Sequence, residues 1–157
     1  MAMTTRRTLL AAAALLAPLP ALAQAEITAG DMVITHAWTR AGGANANGAA
    51  FMVLRNRGSQ PDRLLSAATP LAQRIELHSM IRDGDVMRMR PVNEITIAPG
   101  QQVALQPGGL HVMLIGLGEA LRQGGQVPLT LRFERAGEVR VMLTVEAAGA
   151  RAPAHRH

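Results

Sequence analysis

The sequence contains no cysteine. That absence excludes disulfides, thiolate metal sites and thiol redox chemistry together. It also excludes a blue-copper electron-transfer centre, which is built around a cysteine sulfur. Lysine is missing too, so every basic side chain is an arginine. Aromatic residues make up 2% of the chain: Trp38, Phe51 and Phe133. With 48% apolar residues, a core can form, but it must be aliphatic. The arginines are scattered, with no run and no interleaved rings. Nucleic-acid binding needs a clustered basic footprint, often with stacking aromatics, so no nucleic-acid partner is expected. No Gly-rich phosphate loop follows a strand, and no G-x-S-x-G motif is present. Asp83, Asp85 and Glu94 do not form a spaced acid pair.

What the chain does contain begins with an address. Arg6-Arg7 provides a positive start, Leu9 to Ala17 is a continuous apolar run, and Ala21-Leu22-Ala23 and Ala23-Gln24-Ala25 are both A-x-A sites. This is the layout of a cleaved secretory signal peptide. The apolar run is too short to remain as a membrane-spanning helix. Thr5-Arg6-Arg7-Thr8-Leu9-Leu10 also resembles a twin-arginine signal. Residues 1–25 are therefore expected to be a signal peptide and 26–148 the functional domain. Residues 149–157 are expected to be a disordered tail. The mature protein would be periplasmic, without a stable membrane span. Its net charge would be +3, from fourteen arginines against eleven acidic residues.

After the leader the pattern has period two. Leu129, Leu131 and Phe133 alternate with polar neighbours, as do Val139, Val141, Leu143 and Val145. Such alternation marks half-buried strands. Matching the two apolar faces in one hairpin requires an odd loop, such as Ala136-Gly137-Glu138. Turn chemistry recurs at Asn56-Arg57-Gly58, Gln60-Pro61-Asp62, Asp83-Gly84, Pro99-Gly100, Pro107-Gly108-Gly109 and Gly124-Gly125. Short strands between close turns predict an all-β sandwich or barrel. Ile75, Leu77, Val112, Leu114, Leu131 and Val141 should lie inside, and at most a short helical turn should occupy residues 117–124.

Methionine is unusually common, with nine residues, seven of them outside the leader. With Asp83-Gly84 as a two-residue hairpin loop, His78 would face Met89, Met80 would face Met87, and Ile81 would face Val86. His78, Met80, Met87 and Met89 then share one side of the sheet, and Ile75, Leu77, Ile81 and Val86 share the core side. Directly opposed residues have Cβ atoms about 5 Å apart, near enough for both side chains to reach one ion. Downstream, His111 and Met113 project to one side of a strand whose other side carries Leu110, Val112 and Leu114. Thioethers are soft, neutral ligands. Calcium and magnesium want oxygen donors, and zinc prefers Cys, His and carboxylate. An imidazole and thioether set suits copper(I). Singly, a methionine is more often a core gap-filler; four residues brought to one place by strand geometry are harder to attribute to packing.

These residues resemble a known family, the periplasmic copper chaperones called PCu(A)C. Its motif is a His, ten residues, a Met, twenty-one residues, then His-x-Met. Here Met89 stands eleven after His78, His111 twenty-two after Met89, and Met113 two later. The stretches LHSMIRDGDVMRMRPV and LQPGGLHVMLIGL are similar to the family as well, and the likeness runs over roughly residues 27–147. The resemblance implies a cupredoxin-like Greek-key β-barrel or sandwich with an exposed copper(I) site formed by His78, Met89, His111 and Met113. It implies a carrier, not an enzyme. It also implies delivery to a copper centre of cytochrome c oxidase, often beside a Sco-type protein. Some members carry a long His/Met-rich C-terminal extension; this chain has only His155 and His157 there.

Met80 and Met87 fall on the same face and can be read as alternate ligands or, preferably, as an apolar shield around the ion. His36 is expected to be a surface or internally satisfied histidine, and Trp38 a core residue, with an aromatic lid near the site as the alternative. The competing reading is a structural or adhesive β-sandwich with incidental Met and His. A third, a metalloenzyme with an open copper site, is disfavoured because this ligand set does not favour the copper(II) state that redox catalysis would need.

Overall fold

The computed structural model describes residues 25–154. The expected leader, apart from Ala25, and His155 and His157 lie outside those residues. Among the described residues every regular element is a β-strand, as the period-two pattern requires. The strands are β1 (Ile27–Ala29), β2 (Met32–Arg40), β3 (Gly48–Asn56), β4 (Asp62–Ala68), β5 (Ala72–Asp83) and β6 (Val86–Val92). They continue with β7 (Ile95–Ile97), β8 (Gln102–Leu105), β9 (His111–Leu117), β10 (Gln126–Phe133) and β11 (Gly137–Glu146). They form one open sheet in the order β6-β5-β9-β3-β2-β11-β10-β4-β7, with β1 added to β2 and β8 to β3. The β11–β2 pairing is parallel and all others are antiparallel. This is a cupredoxin-like β fold. Among the described residues no helix is long and apolar enough to cross a membrane.

The buried face is aliphatic, as the shortage of rings demands. Leu54, Leu64, Leu114, Leu129, Leu131, Val141 and Leu143 are all sealed from solvent, with Phe133 among them. Leu77 and Val112 are buried as expected, and Ile75 is half-buried against the same core. The β10–β11 hairpin does have an odd loop, but it is Glu134-Arg135-Ala136, because Phe133 pairs with Gly137. Gly137 takes φ +76° at the loop's end, a position where a side chain would be strained. The carboxylate of buried Asp62 fixes this loop by accepting from the backbone N–H groups of Arg135 (2.8 Å) and Ala136 (3.0 Å).

Residues 117–124 do not form a helical turn. Leu121 instead exchanges both backbone hydrogen bonds with Gly42, at 2.8 and 3.0 Å, and buries its side chain. Glycines at 118, 124 and 125 weaken a helix that would need several consecutive residues fixed for its first hydrogen bond.

β5 is long enough to serve two partners in succession. Ala72 to His78 pair with β9, and Leu77 to Asp83 pair with β6. β9 begins at His111, so beyond His78 the β5–β6 hairpin runs past the strand that covers the core. Ile81 and Val86, expected on the core side, are therefore exposed. β6 is a sheet edge whose Arg88, Arg90 and Pro91 discourage pairing with another chain.

Candidate metal centre

Three strands, β6, β5 and β9, bring the chemistry-bearing side chains to one face. The register differs from the expected one by two residues. Asp83 pairs with Val86, so the loop is Gly84-Asp85, with Gly84 at φ +62°. A type II′ turn needs glycine at its first central position; placing Asp83 there would put a side chain where only glycine is comfortable. A slip of two leaves every side chain on its own face, so His78, Met80, Met87 and Met89 still share a side. The direct neighbours change: Met80 faces Met89, His78 faces Pro91, and Arg82 faces Met87. Across the other edge of β5, His78 faces His111 and Glu76 faces Met113. Met89 is thus diagonal to His78, a separation of about 7–8 Å between backbones that long side chains still bridge.

His111 is positioned by the turn before it. Gln106 accepts from Gly109 N–H at 3.0 Å around Pro107-Gly108, with Gly108 at φ +80°. This is a type II turn with proline and glycine at their favoured places. The Gly109 carbonyl then accepts from His111 Nδ1 at 2.9 Å. A neutral imidazole has one N–H and one lone pair, so this bond leaves the lone pair on His111 Nε2. The ring is buried, and Phe51 lies 6.4 Å away, with Trp38 packed against Phe51 at 4.7 Å and a 40° tilt. Trp38 is thus a core residue, as expected, supporting the ring that supports His111.

The His78 ring lies 5.6 Å from that of His111. Its Nε2 donates to Glu76 Oε2 at 2.8 Å, and the other Glu76 oxygen accepts from Arg74 Nε at 2.9 Å. The His78 hydrogen bond, helped by the Arg74 charge and opposed by partial burial, holds the Glu76 carboxyl below its ordinary range. The remaining nitrogen, Nδ1 of His78, is buried and has no hydrogen-bond partner. A buried polar atom without a partner is uncommon and calls for an explanation.

A cavity of about 380 Å³ opens beside these rings, lined by Met80, Met89, His111, Met113, Phe51 and Arg40 among others. His78 does not line it; its ring lies 5.6 Å from that of His111, which does. Met89 is 49% exposed, so the cavity's mouth is within reach of another molecule. Met87 is equally exposed but is not part of the cavity wall. Among the described residues no three His, Cys, Asp or Glu side chains gather as a metal site. Lone-pair nitrogen and thioether sulfur are what this face offers. The pattern reading missed Glu76, although its place two residues before His78 puts it on the same strand face. His36, at a bulge in β2 with φ +54°, is exposed and does not line this cavity.

A family model described as "Putative lipoprotein LpqE-like" matches residues 32–145. "Putative lipoprotein Lxx21020" of Leifsonia xyli subsp. xyli is 33% identical over 117 residues, covering 73% of this chain and 70% of that protein. The PCuAC domain of PmoF2 has been solved apo and copper-bound. The two structures superpose with TM-scores of 0.70 and 0.67 at 29% and 28% identity, covering 82% and 78% of this chain and 100% and 98% of theirs. The solution structure of CuI-DR1885 from Deinococcus radiodurans gives a TM-score of 0.60 at 32% identity, covering 77% of this chain and 80% of that one.

Proposed function

As this chain belongs to the LpqE-like family and shares the fold of PCuAC domains, we propose that it is a copper(I) chaperone, a carrier without catalysis. The observation that supports this best is the pair of histidines with complementary free nitrogens, His78 Nδ1 and His111 Nε2, beside a methionine-lined cavity. His78, Met89, His111 and Met113 hold the ion in this reading. The copper-bound PmoF2 domain and the copper(I) form of DR1885 are in keeping with it. Copper is cargo here, so the site must bind and also surrender it. Neutral ligands suit that task, because they add no charge to hold the cation back. The half-exposed Met89 gives a client's ligands a place to begin the exchange.

Anaerobic titration of the purified apo-domain with Cu(I), followed by intact-mass measurement, should show one copper per chain. A domain that takes up none refutes the reading. The client in this proposal is a copper centre of cytochrome c oxidase, served beside a Sco-type protein. Cells lacking this chain should then assemble oxidase short of copper, and full copper occupancy there would remove that client.

Export to the periplasm by a cleaved signal peptide is part of the same proposal. It rests on the leader's layout and on the lipoprotein names of the family and its relative. Lipids joined through sulfur need a cysteine, and these 157 residues contain none. The native protein should begin near Gln24 or Glu26; sequencing that finds Met1 or Ala2 at its N-terminus counts against cleavage.

A further inference from the structure

Resting on the copper reading above, we infer that Glu76 is a positioning residue that fixes the tautomer of His78, so that copper(I) is taken by Nδ1 of His78 and by Nε2 of His111. A carboxylate can only accept hydrogen bonds. Its 2.8 Å contact with His78 Nε2 therefore requires the proton on Nε2 and leaves the lone pair on Nδ1, the buried nitrogen with no partner. Arg74 makes the brace directional. Its Nε holds Glu76 Oε1 at 2.9 Å, leaving Oε2 for His78. Residues 74, 76 and 78 follow one another at alternate positions of β5, so they lie on one face. The row ends at the strand position paired with His111.

The second histidine is set in the opposite sense. The Gly109 carbonyl takes the proton of His111 Nδ1 and frees Nε2. One ring thus presents the nitrogen near its backbone and the other the nitrogen at its tip. Two rings on directly paired strand positions, 5.6 Å apart, can then address one ion without competing for the same space. Partners that orient a ligating histidine through its other nitrogen are worth about 10- to 100-fold in metal affinity. A salt bridge serving only the surface would change neither the tautomer nor the affinity.

The test uses the apo-domain labelled with ¹⁵N and titrated anaerobically with Cu(I) alone. Long-range proton–nitrogen correlation spectra should show His78 protonated at Nε2 before copper. Copper should then shift Nδ1 of His78 and Nε2 of His111. Competition against a chromophoric Cu(I) chelator should show Glu76→Ala weakened about 10- to 100-fold, with an unchanged melting temperature and a mixed His78 tautomer. Glu76→Gln, whose amide oxygen still accepts from Nε2, should recover most of the affinity. A parent spectrum with His78 protonated at Nδ1, or with copper on its Nε2, overturns the inference whether or not any variant folds. Undiminished affinity in Glu76→Ala, with binding lost in His78→Ala, removes the brace and leaves the carrier reading standing. Undiminished affinity in His78→Ala as well removes both.

Discussion

The double variant His78→Ala, Met89→Ala should bind Cu(I) at least about 100-fold more weakly than the parent, a difference of about 2.7 kcal/mol, while remaining folded. The two residues come from different strands of the hairpin and stand diagonal across it. Together they contribute one of the two nitrogens and one of the sulfurs of the proposed set. Both lie on the side of the sheet away from the aliphatic core, and Met89 is already half in solvent; the packing lost with His78, whose side chain is 12% exposed, falls outside that core. His111 is the poorer choice for this experiment: it is buried against Phe51, and its removal would mix a packing loss into the result. Competition with a Cu(I) chelator measures the affinity and thermal unfolding of the apo-protein measures the fold. Among single variants, Met89→Ala or Met113→Ala should weaken Cu(I) more than Cu(II), because a thioether favours the softer ion. Met80 is the residue that would rescue a false expectation. It stands directly opposite Met89 and lines the same cavity. If the double variant retains parental affinity, the ion lies elsewhere on this face and the proposed ligand set is wrong.

Much of this arrangement was legible in the sequence, and the part that was not has a definite cause. Alternation in 129–133 and 139–145 identified the buried faces of β10 and β11, because each is fixed by a period of two. The same periodicity placed His78, Met80, Met87 and Met89 on one side. Register was another matter. Both Asp83-Gly84 and Gly84-Asp85 give a two-residue loop and identical faces, so hydrophobic pattern cannot tell them apart. The choice rests on which loop position needs positive φ, and the structure gives that position to Gly84. Ile81 and Val86 were misjudged because alternation reports the side of a sheet and not where the covering layer stops. The segment 117–124, where at most a short helical turn was expected, is instead held by a bond between Leu121 and Gly42, residues far apart in the chain. Glu76 was visible as a letter but not as a partner. Its contact with His78 depends on side-chain rotamers, about which strand period says nothing.

Leu114→Ala should have the opposite signature: a large loss of stability with copper stoichiometry intact. Leu114 is sealed from solvent on β9, between Gly48 of β3 and Ile75 of β5. Truncating a buried leucine to alanine costs about 2–5 kcal/mol, since the transfer energy of the removed carbons is lost and the surroundings close only partly over the cavity. For a domain of this size that corresponds to a melting temperature lower by about 7–18 °C. Position 114 faces the core, however, while His111 and Met113 lie on the other side of β9. The proposed ligands therefore keep their strand and their register. If copper(I) binds the folded state as proposed, then at a free concentration 100 times its dissociation constant it should return about 2.7 kcal/mol of stability. Parent and Leu114→Ala should both gain it, and the His78→Ala, Met89→Ala variant should gain almost nothing. Calorimetry of the three proteins with and without Cu(I) separates the two faces of one short strand. A folded Leu114→Ala protein that no longer responds to copper would mean that the site depends on the core behind it, and that the two faces are not independent.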